Sequence, residues 1–160
     1  MISSSSRSSR YLIVCPIPVW HPREVRPNLS DMLRPSMQTL KHIFVQIYVD
    51  DDDMDPLFDI PFELENMRTQ NIIESIGIVF RMDKNCRQGN GWGRLNEALT
   101  TPGWFSLKRV SLVIEIFDYG IPDNTLKVAL RKLLETQFPQ LSTSNSISFD
   151  FEVTVVSWLA

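Results

Sequence analysis

Cysteine, glycine and histidine are scarce in this chain of 160 residues, with 2, 6 and 2 copies. Cys15 and Cys86 are too few for a disulfide-stapled secreted scaffold, and neither lies in a CxxC pair of the kind that holds zinc or shuttles between thiol and disulfide. A reducing setting, cytoplasmic or nuclear, is the expectation. Clustered cations are lacking too. Sixteen Lys and Arg stand against nineteen Asp and Glu, a net charge of −3, whereas nucleic acid and anionic membranes both need grouped Lys and Arg to displace counterions. No run of 18 apolar residues occurs, so no segment has the makings of a membrane-spanning helix. What is present is ordinary: 43% hydrophobic and 22% charged residues, in a chain long enough to bury about 68–70% of its unfolded surface without staples.

The first ten residues, MISSSSRSSR, carry no acid and no apolar periodicity and read as a disordered tail, leaving 11–160 as a single domain. Tyr11 to Trp20 admits two readings: a targeting segment of a secreted or imported protein, or a first strand at a domain edge. Pro16 and Pro18 interrupt the apolar run and no small-x-small cleavage pattern follows it, which favours the strand.

The chain repeats itself. From Leu40, apolar residues stand at Ile43, Val45, Ile47 and Val49; from Ile73, at Ile76, Ile78, Phe80 and Met82; from Leu107, at Val110, Leu112, Ile114 and Ile116. A fourth copy from Leu141 places Ile147, Phe149, Phe151 and Val153 in the same role, with three residues inserted within STSNS. Alternation with a period of two marks a strand with one buried face. Between the runs lie helical patterns at Ser30–Arg34, Leu57–Met67, Arg94–Leu99 and Pro122–Thr136, the last with Asp123 as a cap and Leu126, Leu130, Leu133 and Leu134 on one face. The expected fold is α/β: a leucine-rich-repeat-like partial solenoid of about four strand–helix repeats of 33–34 residues, with a curved parallel sheet and helices on one face. A doubly wound sheet is disfavoured, because strands buried on both faces read as continuous apolar runs.

The segments LRPSMQTLKHIFVQIYVDDDDMD, TTPGWFSLKRVSLVIEI and ETQFPQLSTSNSISFDF carry a resemblance to a known family. The chain resembles the leucine-rich-repeat-like C-terminal regions of fungal F-box proteins, especially those of mushroom-forming species. That resemblance implies a scaffold whose repeats hold a protein substrate for an SCF-type ubiquitin ligase. The F-box itself, a helical module that docks the ligase adaptor, has no counterpart in residues 1–39. An array without its upstream repeats has uncapped edges, and a homodimer through such edges is a further expectation.

Other motifs resolve to bland readings. Asp51, Asp53 and Asp55 have the one-three-five spacing of a calcium loop, but Pro56 replaces the required Gly and Phe62 the required Glu. Gly89, Gly91 and Gly93 precede a helix, yet Arg94 breaks the dinucleotide pattern, so a flexible turn is expected there, with Trp92 and Trp104 as core aromatics. His21 and His42 lack partners at metal spacing. Cys86, between Lys84 and Arg87, keeps open a small cysteine-dependent enzyme, but no local pattern supplies an orienting group or an oxyanion site. The expectation is therefore a non-catalytic protein-binding scaffold without cofactor or metal. Its contact residues lie on the open sheet face: Phe44, Gln46, Tyr48, Val79, Arg81, Val113, Glu115, Phe117, Asp150 and Glu152.

Overall fold

The computed structural model describes residues 11–17, 29–49, 57, 60–69, 71–83, 91–118 and 124–157. The tail 1–10, His21, the acidic run 50–55 and Cys86 lie outside the described residues.

The alternating runs form strands. β1 (Tyr11–Ile17), β2 (His42–Val49), β3 (Ser75–Asp83), β4 (Arg109–Asp118) and β5 (Ser148–Ser157) make one sheet in sequence order, and every neighbouring pair is parallel. Val and Ile dominate them because branched side chains lose little freedom on a pleated surface and pack well there. Tyr11–Ile17 is thus a strand, paired with β2, which makes five strands where the repeat predicts about four.

Register sharpens the repeat and corrects it once. Leu12, Ile43, Ile76, Val110 and Phe149 stand side by side, at steps of 31, 33, 34 and 39 residues. The partner of Val110 is therefore Phe149 rather than Ile147, and the last period exceeds 33–34. The extra residues are taken up by a short helix and by a bend in which the Ser144 hydroxyl accepts hydrogen bonds from the Ser146 and Ile147 N–H groups at 3.3 and 3.1 Å.

The connecting helices are α1 (Leu29–Leu33), α2 (Ile60–Met67), α3 (Gly91–Thr100), α4 (Asn124–Arg131), α5 (Leu133–Thr136) and α6 (Pro139–Ser142). Pro61 is tolerated because it falls in the first turn of α2, where its missing N–H has no helical partner to lose. After α1 the chain continues into a 3-10 turn spanning Arg34–Ser36, which contains Pro35. Over the described part of the predicted helix, 124–136, the chain forms two pieces with Lys132 between them; the expected cap Asp123 lies outside the described residues. The glycine-rich turn is shorter than expected, since Gly91, Trp92 and Gly93 form the first turn of α3. Burial explains this: Trp92 is 1% exposed and stands edge-on to Phe80 at 5.2 Å and to Phe138 at 6.2 Å between ring centroids. Two aromatic contacts of this geometry outweigh the weak helix preference of two glycines.

One buried cluster joins the helices to the sheet. It takes Leu29 and Leu33 from α1, Leu64 and Met67 from α2, Leu95 and Leu99 from α3, and Leu130, Leu133 and Leu141 from the last three helices. From the strands it takes one alternate set only, the apolar positions of the repeat. Asn96, the one buried side-chain amide among the described residues, is satisfied by Gln140 at 3.0 Å and by the Leu141 N–H at 3.1 Å, which ties α3 to α6. Gly103 turns the chain after α3 at φ 129, and a Cβ there would lie 2.6 Å from Cγ of Arg68; only glycine fits.

Candidate functional site

Because β2 to β5 are parallel and in unbroken register, the residues between the buried ones line up in cross-strand rows on the face away from the helices. Phe44, Gly77, Ser111 and Asp150 form one row; Gln46, Val79, Val113 and Glu152 the next; Tyr48, Arg81, Glu115 and Thr154 the third; Asp83, Phe117 and Val156 the last. All ten expected contact residues lie in these rows. The rows also hold Gly77 and Ser111, which the alternation places on this face, and Asp83, Thr154 and Val156, which share the same alternation but were not among the expected contacts.

The third row is a hydrogen-bonded ladder. The Arg81 Nε donates to Glu115 Oε2 at 2.5 Å, and its Nη1 donates to the Tyr48 hydroxyl. Its guanidinium carbon also lies 5.3 Å from the centre of the Tyr48 ring, within cation–π range. With its amide turned to satisfy both ends, Gln46 accepts from the Tyr48 hydroxyl at 2.8 Å and from Arg81 Nε at 3.1 Å. The Glu115 hydrogen bond, followed by that of Tyr48, outweighs partial burial and raises the Arg81 pKa above its ordinary value. Arg81 is thus fixed as a cation with its carboxylate alongside.

The other rows differ in character. Val79 is 9% exposed and Val113 half-buried, so an apolar strip runs through the centre of the face. Phe44, 37% exposed, lies over Gly77, where a Cβ would meet its Cδ2 at 2.9 Å. The aromatic ring occupies the space the missing side chain leaves. Asp150 and Glu152 are exposed, and Asp150 lies 3.8 Å from Arg109. A shallow cleft of about 440 Å³ is lined by Ser111, Val113, Asp150 and Glu152 on this face and by Leu134.

At the end of the sheet where the strands begin, Lys41 donates to Glu74 at 2.5 Å and Lys108 reaches the other oxygen at 3.5 Å. The Lys41 hydrogen bond holds the Glu74 carboxyl below its ordinary value of 4.5. His42 pairs with the Ser75 hydroxyl at 2.7 Å. Among the described residues no three His, Cys, Asp or Glu side chains are grouped to hold a metal ion, and no helix is long and apolar enough to cross a membrane. The assembled groups are donors, acceptors and apolar strips on an open surface.

Comparison with protein-family models, with curated proteins and with solved structures gave no match.

Proposed function

We propose that the chain is a non-catalytic protein-binding scaffold, a leucine-rich-repeat-like partial solenoid whose open sheet face receives its partner, as in the substrate-recognition region of an F-box protein serving an SCF-type ubiquitin ligase. The observation that carries this reading is the asymmetry of the sheet. Helices cover one face, while the other presents an apolar strip, a half-exposed phenylalanine and a Tyr48–Arg81–Glu115 ladder in fixed positions. Tyrosine and arginine held rigidly beside apolar surface are what interfaces use as anchors, because little conformational entropy is left to lose on binding. No cofactor or metal enters the reading, and its setting is intracellular. Its remaining element is self-association through uncapped repeat ends.

Selection of ligands from a displayed peptide and domain library tests the proposal. Ligands enriched by the wild-type protein should weaken by about tenfold or more for Tyr48→Ala and Arg81→Ala, the loss expected of interface anchors, and keep their affinity for Lys127→Ala on α4. Equal loss in all three variants, or none in any, overturns the assignment of the face.

A further inference from the structure

The two edges of the sheet are built differently. On β1, Pro16 lacks an N–H and the register shifts between Val14 and Ile17; proline and irregular pairing are devices that blunt an edge against another strand. β5 has neither. Its ten residues, SFDFEVTVVS, hold unbroken register with β4 from Ser148 to Ser157, and they contain no proline, glycine or lysine. Among the described residues no strand lies on its outer side.

The outer side of β5 presents a defined set of groups. The Ser148 N–H donates to the Lys108 carbonyl at 2.8 Å, so the backbone groups of even-numbered residues turn towards β4. Those of Phe149, Phe151, Val153, Val155 and Ser157 turn outwards. On the helix side Phe149, Phe151 and Val155 are only partly buried, whereas their row partners Val110, Leu112 and Ile116 are fully buried. Among the described residues the ladder ends at this strand, and of its apolar helix-side positions only Val153 is fully buried; the shallow cleft at Ser111, Val113, Asp150 and Glu152 also takes in Phe149, Phe151 and Leu134.

We propose that β5 pairs antiparallel with β5 of a second copy, with the two-fold axis at Val153. This rests on the proposed reading of the chain as a repeat array that self-associates. Charge selects the register. An axis at Glu152 sets that carboxylate against its own copy, and an axis at Phe151 sets Asp150 against Glu152; like charges directly opposite are destabilising. An axis between residues opposes outward-turned groups to inward-turned ones and forms no ladder. The axis at Val153 sets Glu152 opposite Thr154 and Asp150 opposite Val156 on the open face. On the helix side it sets Phe151 opposite Val155, which continues the apolar layer across the join, and it engages all five outward-facing residues. The contact is isologous, so it closes as a dimer rather than propagating as a fibre. It joins two five-stranded sheets into one and leaves the central rows of each open face clear for a partner.

Sedimentation equilibrium and amide hydrogen exchange on the full chain test this. The wild-type protein should form a dimer, and the amides of Phe151, Val153 and Val155 should gain protection as concentration rises, while those of Asp150, Glu152 and Thr154 are protected at every concentration. Thr154→Glu, on the exposed face, places a carboxylate opposite Glu152 twice per dimer and should weaken association by about tenfold at low salt. Glu152→Lys combined with Thr154→Glu should restore it. A chain that stays monomeric to millimolar concentration overturns the proposal, as does a dimer indifferent to both substitutions, or one that protects β1 instead. Protection of the β5 amides only on addition of a different protein also overturns it, by giving the edge to a foreign strand. Ligand selection on the open face is read independently, so either idea can fail alone.

Discussion

The two faces of strands β2 to β5 are made by the same alternation, yet they obey different rules. On the helix side, the alternate positions from Ile43 to Ile47, Ile76 to Met82 and Val110 to Ile116 are at 5% exposure or less and belong to one buried cluster. On the other side, positions one residue away carry Phe, Gln, Arg, Glu and Asp at intermediate or full exposure. Parallel pairing in register is what converts alternation along a strand into uniform faces, since it stacks like with like at every step. Stability is therefore concentrated on one face, and the other is released to vary.

That contrast can be broken from either side. The largest effect should come from Phe80→Ala: the ring is fully buried against Trp92, and its removal should cost about 3–5 kcal/mol, read as a drop in the denaturation midpoint. Phe151→Ala, on the same face but half-buried at the sheet's edge, should cost only about 1–2 kcal/mol. Equal losses in the two variants would mean that β5 is as enclosed as β3. On the open face, Glu115→Gln removes the partner of Arg81 from a pair whose side chains keep 31% and 25% exposure, and solvent screening should hold the loss to about 1 kcal/mol or less. Its larger consequence should be lost ligand affinity. Gly77→Ala should displace the Phe44 ring, visible as changed NMR shifts for Phe44, with stability altered by about 0.5 kcal/mol at most, because the obstructing atom belongs to a half-exposed side chain.

The smallest effect concerns acid. Glu74 is held below its ordinary value of 4.5 by the Lys41 hydrogen bond. A carboxyl lowered in the folded state contributes stability that is present above pH 4.5 and is lost as pH falls from there through the lowered value. Glu74→Gln should lower stability slightly at neutral pH, converge on wild type in acid, and so flatten the acid limb below pH 4.5. An unchanged acid limb would show that this exposed pair contributes nothing.

Much of this fold was legible as alternation, and the reasons for the exceptions are specific. In β2, β3 and β4 the apolar positions and the step of 33 or 34 residues agree, so face and register are both determined. For β5 the apolar residues continue at 147, 149, 151, 153 and 155, and a slip of two residues keeps every one of them on the same face. Period-two patterning cannot distinguish Ile147 from Phe149 as the partner of Val110. The start of α3 was hidden because glycine signals a turn, and only the tertiary packing of Trp92 draws Gly91 and Gly93 into a helix. At the candidate site, the ten face residues follow from alternation alone. The same steps of 33 and 34 residues set Tyr48, Arg81 and Glu115 side by side; which of them bond, and through which atoms, depends on side-chain reach and could not be read from the pattern.

The central claim, one covered face and one open face on a parallel in-register sheet, is tested most directly by thiol labelling of single cysteines along β4, with Cys15 and Cys86 replaced by serine. Cysteines at 111, 113, 115 and 117 should react readily under native conditions, and those at 110, 112, 114 and 116 should react only on unfolding. Protection at all eight positions would mean that both faces are covered, and the scaffold reading of the open face would fall with it.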